Sequence, residues 1–575
     1  MEAKKWGIII VSVVFFIKAL PLVLVVKEST DGHSTLIGLK PTIAKVLQGG
    51  LWSRGKREAR TSGVSPNLTT CHQSTSPSGF PIYCCPPRSK SEEAIIDFKF
   101  PDPSSSPLRV RRAANLVDHN YITKYNKALS IMKSLPHTDP RSFTRQANLH
   151  CLYCTGSYNQ KHSNSGFNIH KSWLFFPWHR MMLYFHERIL GNLIGDDTFA
   201  LPFWSWDIPE GMVIPEMYMN ASLFHRERDF SHFPPNVVDL DYRNKECGLN
   251  PEDQIRTNLA LMYRQMVSGA KKTELFMGCP YKPGDAGFCN APGTIELAPH
   301  NTVHKWVGSN SNPSREDMGA FYSAARDPIF YAHHANIDRL WEVWRNLHNE
   351  MTINDPDWLE SYFYFYDEKL QLNKIKVGDV LDATKLGYGY EGVDISPWLN
   401  ARPKPSVPPK IARHILKKRE VKHSLQPQSN HIGSGPNGTG RSLGTGLTIR
   451  VSRPRIHRSK KDKEKEEEVL VVHGIDVKVD VFVKFDVYVN VVNETIIGPR
   501  FSEFAGTFVH IPSGVKLAGQ SNDAERRKTD LKLGIAEILE DLEAEGDENI
   551  WVTLLPRSQS CVNTTVDGIR IDYFK

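Results

Sequence analysis

The amino-acid sequence predicts a mainly α-helical domain, packed as a four-helix bundle, followed by a smaller β-sandwich domain. Three observations support this fold class. The segment AANLVDHNYITKYNKALSIMKSL, starting at Ala113, spaces its apolar residues as an amphipathic helix does. The segment WLFFPWHRMMLYFHERILGNLI, starting at Trp173, is apolar almost all round, which is typical of a buried helix. From Val477 the period changes to two in VKVDVFVKFDVYVNVV, which predicts a half-buried strand or a bent pair of strands.

The chain begins with a segment that predicts entry into the secretory pathway. Lys4 and Lys5 precede the apolar run WGIIIVSVVFF, and Lys18 follows before ALPLVLVV. This run is short for a membrane-spanning helix, so residues 1–27 are predicted to be a signal peptide, with a retained signal anchor as the alternative. No second long apolar run follows, so no stable membrane span is expected after leader removal. The expected destination is the vacuole or the cell exterior.

Cysteines and glycosylation patterns agree with an oxidising compartment. The chain has nine cysteines, which can form disulfides there. The N-x-S/T pattern also occurs by chance in a chain of this length, but with the leader it predicts a glycoprotein. The acceptor positions are Asn67, Asn220, Asn437, Asn493 and Asn563.

Changes in composition divide the rest of the chain. Residues 28–65 lack strong periodicity and are predicted to be processed or poorly ordered. Residues 403–446 are rich in Pro, Gly, Ser, Lys and Arg, which is typical of a flexible linker and a protease target. The remaining boundaries are 66–350 for the helical domain, 351–402 for a segment that completes it, and 447–575 for the β-sandwich. Within the last range, GTFVHIP and IWVTLLP are predicted strands and DLKLGIAEILEDLEAE is a predicted helix.

The overall charge excludes one broad class of function. The formal net charge of +7 is mild for 575 residues. The basic residues that stand out lie around residues 410–465. The protein as a whole is therefore not expected to bind nucleic acid.

The spacing of histidines indicates a metal site. His300 and His304, in APHNTVHKW, are four residues apart, so on a helix both imidazoles face one side. His333 and His334 lie in the middle of the apolar segment RDPIFYAHHANIDRLWEVW. A buried imidazole needs partners for both ring nitrogens, and a metal ion on one side would supply one of them. Paired histidines also occur on protein surfaces, so this pair alone is weak support.

A second set of histidines lies earlier, at His150, His170 and His179. The chain thus offers two groups of three imidazoles, with no carboxylate or thiolate in either. Imidazole suits copper, zinc, iron or nickel rather than calcium or magnesium. Two such groups facing each other suit two copper ions with dioxygen between them.

The stretch RQANLHCLYCTGSYNQ places His150, Cys151 and Cys154 within five positions. Taken alone, this H-C-x-x-C pattern is compatible with a zinc site, a redox pair or a disulfide. Haem c attachment requires the order C-x-x-C-H, which the stretch lacks.

Together these motifs resemble the plant polyphenol oxidases, a branch of the tyrosinase and catechol oxidase family. The resemblance runs from about residue 70 to the C-terminus and rests on HCLYC, HKSWLFFPWHR, PHNTVH, ARDPIFYAHHANIDRLW, DPDWL, YGY and KFDVYVN. It implies a type-3 centre with two copper ions. The implied ligands are His150, His170 and His179 for the first copper, and His300, His304 and His334 for the second. Spacing alone does not separate His333 from His334, and the family pattern selects His334.

The resemblance also gives roles to the cysteines. It implies a thioether between Cys154 and His170, which would fix the orientation of that ring at the metal. It implies two disulfides, Cys71–Cys85 and Cys84–Cys151, which staple residues 66–107 to the core. Cys247, Cys279, Cys289 and Cys561 fall outside this scheme, and a bridge between Cys279 and Cys289 is a guess.

The implied reaction is oxidation of o-diphenols to o-quinones with reduction of dioxygen to water, and some members also hydroxylate monophenols. Phe321 matches the aromatic residue that gates the second copper, with plain core packing as the alternative. Glu296 and Asn301 match residues that hold a water able to act as a general base towards a phenol. Helix capping for Glu296 and solvent exposure for Asn301 are the alternatives. Lys305 lies at a rim position that could bias substrate choice.

The C-terminal domain resembles the shielding domain of a latent proenzyme, which an activating protease would release at the linker. Most members of this branch carry a chloroplast transit peptide, so the thylakoid lumen is the alternative to the secretory destination. A specialised phenolic-biosynthesis enzyme of the aurone or lignan type, acting in pigment biosynthesis for example, is the alternative within the enzyme class. A dioxygen carrier is an alternative outside it.

Overall fold

Helices dominate residues 107–347 and strands dominate residues 441–575. This computed structural model describes residues 9–10, 23–24, 63–86, 94–104, 107–243, 248–285, 291–349, 351–424, 440–493, 498–513 and 526–575. Residues Met1–Thr61 form one unit, in which β1 (Ile9–Ile10) pairs antiparallel with β2 (Val23–Leu24). Residues Ser62–Lys575 form a second unit. The predicted leader and residues 28–65 therefore lie almost entirely outside the described residues. Among the described helices, none is both long and apolar enough to span a membrane.

The regular elements of the second unit follow in chain order. The α-helices are α1 (His119–Ser134), α2 (Phe143–Cys154), α3 (Phe175–Ile194), α4 (Pro251–Tyr263), α5 (Thr273–Met277), α6 (Asn301–Val307), α7 (Ile329–Leu347), α8 (Pro356–Leu359), α9 (Ser396–Leu399), α10 (Pro409–Ser424), α11 (Lys460–Lys465) and α12 (Ala536–Asp541). The 3₁₀-helices are Leu68–Thr70, Pro209–Gly211, Glu216–Met219, Ala221–Leu223, Phe230–His232, Ala324–Arg326, Val377–Asp379 and Gln559–Asn563. Two π-helical turns span Arg264–Ser268 and Glu296–His300.

The strands of the second unit are short until residue 441 and longer after it. They are β3 (Pro66–Asn67), β4 (Ser74–Thr75), β5 (Pro81–Ile82), β6 (Ile95–Asp97), β7 (Arg109–Arg111), β8 (Asn159–Gln160), β9 (Tyr362–Tyr366), β10 (Leu372–Lys376), β11 (Tyr388–Tyr390), β12 (Arg441–Ser442), β13 (Leu447–Ser452), β14 (Glu467–Lys478), β15 (Val483–Val489), β16 (Phe504–His510), β17 (Arg526–Gly534), β18 (Asn549–Pro556), β19 (Thr565–Val566) and β20 (Gly568–Phe574).

Local sequence explains where the long helices begin and end. The Asp118 carboxylate accepts a hydrogen bond from the Tyr121 backbone N–H at 2.8 Å and so caps α1. Gly195 ends α3 in the left-handed conformation, with φ 68°, which costs glycine little. Helix α3 is buried along almost its whole length and packs against α1 and α7. The apolar sequence of α3 thus places it in the middle of the helical region.

Two disulfides tie the segment before α1 to the helices. Cys71 is bonded to Cys85, and Cys84 is bonded to Cys151 of α2. These are the pairs that the resemblance implies. Cys279 is disulfide-bonded as well, whereas Cys561 is a buried free thiol. Cys247, Cys289 and Asn437 lie outside the described residues.

Side-chain hydrogen bonds connect residues 351–402 to the helical region. The indole of Trp358, in α8, is buried and donates a hydrogen bond to the Trp173 carbonyl at 2.9 Å. The hydroxyls of Tyr388 and Tyr390, in β11, both donate to the Asp338 carboxylate of α7 at 2.6 Å. The segment therefore belongs structurally to the helical region.

The strand-rich C-terminal region contains two sheets. One has the order β12-β19-β14-β17 with β20 also paired to β14, and the other has the order β13-β18-β15-β16. Leu470 and Val472 of the first sheet and Phe485, Val487 and Val552 of the second belong to one buried apolar cluster. The period-two segment contains all of β15 but only the last two residues of β14, and these two strands belong to different sheets.

The burial of β15 and the length of one helix differ from expectation. Lys484 and Asp486 of β15 are completely buried instead of facing solvent, because Lys484 contacts Asp241 of the helical region and Asp486 pairs with Lys484. In DLKLGIAEILEDLEAE the helix is shorter than predicted, because Leu531 and Leu533 belong to β17 and point into the sheet core. Helix α10 occupies part of the predicted linker, and residues 425–439 lie outside the described residues.

Candidate metal centre

Seven buried histidines lie together at the centre of the helical region. They are His150 on α2, His170 just before α3, His179 on α3, His300 at the end of the π-helical turn, His304 on α6, and His333 and His334 on α7. Each is at most 2% exposed. The fold therefore brings all six predicted ligands together from distant parts of the chain.

The ring centroids of these histidines form two groups that touch. In the first group, His150 lies 5.3 Å from His170 and 5.4 Å from His179. In the second group the distances are 4.6 Å for His300–His304, 4.9 Å for His300–His334 and 5.5 Å for His304–His334. The His179 and His334 rings stack at 4.1 Å, and nitrogens of His150, His179 and His334 lie within 4.8 Å of one another. His334 therefore borders both groups.

Backbone carbonyls fix the orientation of three of these rings. In each case Nδ1 lies within hydrogen-bond distance of a carbonyl oxygen: His150 with Phe321 at 2.7 Å, His179 with Phe175 at 2.8 Å and His304 with Met318 at 2.9 Å. A carbonyl accepts only, so the neutral rings carry their proton on Nδ1 and leave a lone pair on Nε2. That lone pair is what a metal ion binds.

The Nε2 atoms of the second group point at one another. His304 Nε2 lies 3.2 Å from His300 Nε2 and 3.3 Å from His334 Nε2. His300 Nδ1 donates to the Asn301 side-chain oxygen at 2.9 Å, so its Nε2 is also a lone-pair donor. Lone pairs brought this close need a cation between them.

His333 differs from its neighbour in the position of its proton. Its Nδ1 accepts a hydrogen bond from the Trp206 indole N–H at 3.1 Å. A neutral ring that accepts at Nδ1 carries its proton on Nε2, so neither nitrogen of His333 is left to bind a metal. His333 lies beside His300 and His304, but this tautomer leaves it without a lone pair for a metal ion.

Burial keeps the clustered imidazoles neutral. Desolvation, with smaller effects from neighbouring imidazoles, holds the pKa of His150, His170, His300 and His334 well below the usual histidine value. Burial also lowers the pKa of His179 to about 3 and that of His304 to about 4. Neutral imidazole is the metal-binding form, so no deprotonation has to precede metal binding at neutral pH.

Phe321 and Cys154 both lie against His170. The Phe321 ring stacks on His170 at 4.1 Å and also lies 5.8 Å from His304. It therefore covers the boundary between the groups instead of the second group alone. The free, buried Cys154 thiol lies within 4.8 Å of a nitrogen of His150 and of His170.

Glu296 and Asn301 are both buried, so the alternative of solvent exposure does not describe Asn301. One Glu296 oxygen accepts a hydrogen bond from the Lys171 backbone N–H at 2.6 Å, and the other has no hydrogen-bond partner among the described residues. Burial raises the pKa of Glu296 to about 8. Asn301 accepts from His300 and donates to the Val509 carbonyl of β16 at 3.1 Å.

Sequence reasoning missed the residues of the C-terminal region that cover this site. The Lys171 amine lies 3.0 Å from Nδ1 of His510, also in β16. The Lys305 amine lies 4.5 Å from the centroid of the Phe482 ring, in the β14–β15 turn. No local pattern signals such contacts, because they join residues separated by more than 170 positions.

The donor set fits transition-metal ions that prefer imidazole ligands. Each group offers three neutral imidazoles and no carboxylate or thiolate among the predicted ligands, and this favours copper, zinc, iron or nickel over calcium or magnesium. Nε2 of His150 and His179 and both ring nitrogens of His170 are buried without a hydrogen-bond partner among the described residues. A metal ion in the first group would satisfy Nε2 of His150 and His179 and one of the two nitrogens of His170.

Comparison with known protein families gives three matches. Residues 140–347 match the common central domain of tyrosinase. Residues 352–404 match the polyphenol oxidase middle domain. Residues 439–573 match the chloroplastic polyphenol oxidase C-terminal domain.

Two curated plant proteins and a solved structure are similar over most of their lengths. Aureusidin synthase from Antirrhinum majus is 47% identical over 507 residues, covering 86% of this chain and 86% of that protein. The chloroplastic polyphenol oxidase from Malus domestica is 46% identical over 518 residues, covering 88% of this chain and 84% of that protein. The structure of latent apple tyrosinase superposes with a TM-score of 0.74 at 44% identity, covering 84% of this chain and all of that one.

Proposed function

The chain belongs to the plant polyphenol oxidase branch of the tyrosinase family, and we propose that it is a latent copper enzyme that oxidises o-diphenols to o-quinones while dioxygen is reduced to water. The observation that carries this function is the convergence of His300, His304 and His334 nitrogens next to a second three-histidine group. The phenolic ring of a substrate could approach such a site beside Phe321.

Two copper ions are the proposed cofactor. His150, His170 and His179 would hold one, and His300, His304 and His334 would hold the other, within a bundle formed by α2, α3, α6 and α7. The metal pair would supply the electron transfer between the diphenol and dioxygen. The protein's own groups fix the imidazole tautomers through backbone carbonyls and exclude bulk water by burial.

Glu296 and Asn301 are proposed to hold a water that accepts the phenol proton. The Glu296 oxygen without a partner is available to such a water. Asn301 also orients His300, so its side chain links the water position to the metal ligands. Phe321 stacks on His170 at the boundary between the two histidine groups. We propose that it limits how a substrate ring enters the site.

Cys154 and His170 are proposed to be joined by a thioether. The bond would form between the sulfur and a ring carbon, with loss of the thiol proton, the ring C–H proton and two electrons to dioxygen through the copper pair. The nearness of the thiol and the ring supports it, and mass spectrometry checks it. We expect a cross-linked peptide two hydrogen masses lighter than the sum of its parts in copper-loaded protein, and none in Cys154→Ser. Recovery of both peptides unlinked would contradict the bond.

The C-terminal region, proposed to be a β-sandwich formed by its two sheets, would shield the site until the linker is cut. Val509 and His510 of β16 and Phe482 contact residues that flank the histidines, which supports a shielding role. Residues 403–446 are proposed to contain the cleavage site. The limits proposed for the domains on either side of it are those that the sequence predicts. Because α10 is helical, cleavage is expected in residues 425–446 rather than in the helix.

The location is proposed to be the chloroplast. The apple relative is named chloroplastic, and no comparison supports the secretory expectation. Glycosylation belongs to that secretory expectation and stays a prediction, although Asn220 and Asn493 are exposed. Microscopy of a C-terminal fluorescent fusion in leaf cells would decide, since signal in the vacuole or outside the cell would contradict a plastid location.

A specialised biosynthetic oxidase is the second candidate within the same chemistry. The name of the Antirrhinum majus relative, aureusidin synthase, favours it. A dioxygen carrier has no specific observation in its favour.

Oxygen uptake by the copper-loaded protein, before and after limited proteolysis, tests the function. We expect uptake with 4-methylcatechol to rise after cleavage, because the covering strand then moves away. Uptake with tyramine should fall by at least about 100-fold in Glu296→Gln, the lower end of a general-base contribution, with a smaller effect on 4-methylcatechol. No uptake in any state with two coppers bound would overturn the enzyme assignment and leave a carrier.

A further inference from the structure

One loop holds a ring of each histidine group in place. Residues 308–323 form this loop, which follows α6. Its Met318 carbonyl accepts the Nδ1–H of His304 at 2.9 Å, and its Phe321 carbonyl accepts the Nδ1–H of His150 at 2.7 Å. His304 belongs to the second group and His150 to the first. The conformation of a single loop therefore sets the orientation of one ring in each group.

The loop is anchored by the carboxylate of Asp229, which is only 2% exposed. Oδ2 accepts a hydrogen bond from the Arg315 guanidinium at 3.1 Å, and Oδ1 accepts one from the Asn310 amide at 2.9 Å. Both partners belong to the loop. The backbone N–H of Asp229 also donates to the Val307 carbonyl at 2.9 Å, where α6 ends. Asp229 thus contacts the loop through two side chains and contacts the helix that carries His304.

The two oxygens of this carboxylate have separate tasks. Oδ1 also accepts hydrogen bonds from the backbone N–H and the hydroxyl of Ser231, which close a local turn. Oδ2 faces Arg315. Burial raises the pKa of Asp229, but hydrogen bonds from Ser231 and Arg315 and the nearby His232 bring this pKa below its ordinary value. The group is therefore an anion at neutral pH and forms an ion pair with Arg315.

The backbone around Arg315 leaves no room to absorb a shift. The Arg315 carbonyl accepts a hydrogen bond from the Gly319 N–H at 2.7 Å. A Cβ on Gly319 would lie 2.5 Å from that carbonyl oxygen, and a Cβ on Gly308 would lie 2.2 Å from it. Because packing is this close, movement of Arg315 should displace Gly319 and the adjoining Met318 carbonyl.

We propose that Asp229 is a positioning residue for both metal ions. Its ion pair with Arg315 fixes the loop, and the loop carbonyls hold one ring of each group with the proton on Nδ1 and the lone pair on Nε2. The inference rests on the proposed function, because it concerns the same two copper ions. It adds a residue that acts through the loop instead of by contact with a ligand.

Two substitutions remove the ion pair from opposite sides. In Asp229→Asn the side-chain oxygen can still close the turn with Ser231, while the amide group replaces the oxygen that faces Arg315. Arg315→Met removes the cation and leaves Asp229 unchanged. Agreement between the two variants separates the loss of the ion pair from damage to the turn. Arg315→Lys keeps the charge and should recover part of the parental behaviour.

Asp196→Asn is the matched control. Asp196 closes the same kind of turn, because its Oδ1 accepts hydrogen bonds from the backbone N–H and the hydroxyl of Thr198. Its Oδ2 pairs with the Lys124 amine at 2.7 Å, and Lys124 is 58% exposed. This aspartate lies just after α3 and outside the loop, so its substitution should leave both histidine groups as they are.

The first measurement follows the ring N–H signals by ¹H–¹⁵N NMR. The full chain is labelled with [¹⁵N]histidine and loaded with Cu(I), which is diamagnetic, and single His→Asn variants assign the signals. The Nδ1–H of His179 is an internal reference, because its acceptor is the Phe175 carbonyl of the same helix. We expect both ion-pair variants to shift or broaden the Nδ1–H signals of His150 and His304 and to leave that of His179 unchanged.

The second measurement is copper affinity, by competition with the Cu(I) chelator bicinchoninate. Both ion-pair variants should bind both coppers about tenfold more weakly, the lower end of the effect of changing a group behind a ligand, because each histidine group has one ring on the loop. After limited proteolysis, kcat for 4-methylcatechol should fall while KM changes little, since the loop acts on the metal centre and not on substrate binding. The control Asp196→Asn should match the parent chain in all of these readouts.

The outcomes separate this inference from the proposed function. If the parent chain does not hold two coppers or does not oxidise 4-methylcatechol, the proposed function fails. If it does both, while both ion-pair variants keep the parental His150 and His304 signals and copper affinities, only the inference about Asp229 is overturned. Weaker binding of one copper alone, or a His179 signal that changes with the other two, would overturn it as well.

Discussion

Replacing His334 with Asn is expected to remove one copper per chain and to lower catechol oxidation by more than about 100-fold, the upper end of the effect of changing a group behind a ligand. The same change at His333 should leave two coppers bound. His334 Nε2 lies 3.3 Å from His304 Nε2, so Asn would remove a donor from the metal. His333 already accepts from Trp206, so Asn there removes support without removing a donor.

The pair forms its own control, since the two residues are adjacent, equally buried and changed in the same way. Copper content by atomic absorption and oxygen uptake with 4-methylcatechol are the measurements, and circular dichroism checks that both variants fold. His333→Asn should lose at most about 10- to 100-fold in rate. A copper lost from His333→Asn and retained in His334→Asn would reverse the assignment.

Local periodicity predicted the parts of the site that depend on local order. His300 and His304 are four residues apart, and the structure has them on adjoining helical turns with converging nitrogens. The apolar sequence around His179 predicted a buried helix, and α3 is one. Spacing could not choose between His333 and His334, because the difference between them is a proton position set by Trp206, 127 residues away.

The interface between the helical and sheet regions could not be predicted in this way. Alternation in β15 places Lys484 and Asp486 on its polar face, and polar faces usually meet solvent. Here that face meets Asp241, and the pattern of a single strand carries no trace of a partner so distant in the chain. Glu296 is similar, because its burial follows from the coverage of the whole site rather than from its neighbours in sequence.

Replacing Lys484 with Met is expected to loosen this interface and to raise the activity of the uncut chain. The Lys484 amine lies 2.7 Å from the Asp486 carboxylate and 3.4 Å from the Asp241 carboxylate, and all three side chains are completely buried. Arg557 also pairs with Asp486, at 2.6 Å. Removing the amine takes one of two cations from each carboxylate, since Asp241 keeps Arg243 at 3.0 Å and Asp486 keeps Arg557. Breaking a buried pair costs up to about 3–5 kcal/mol.

Part of that cost disappears when the regions separate, because Asp241 belongs to the helical side and then reaches water. Opening therefore becomes easier in the variant than in the parent chain. Each loss of about 1.4 kcal/mol from the closed state raises the open fraction tenfold. The measurement is oxygen uptake by uncut protein with 4-methylcatechol, together with the free energy of unfolding in urea.

Lys528→Met is the matched control, because Lys528 also pairs with an aspartate of the sheet region, Asp567, but is 59% exposed. Such a pair contributes at most about 1 kcal/mol, so neither latency nor stability should change much. A double-mutant cycle of Lys484→Met with Asp241→Asn isolates the contact across the interface. We expect the two changes to be non-additive, since each removes the same pair. If both single variants and the double variant are as inactive as the parent before cleavage, the ion pair does not hold the site closed. Apolar contacts such as that between Phe482 and Tyr242 would then be sufficient.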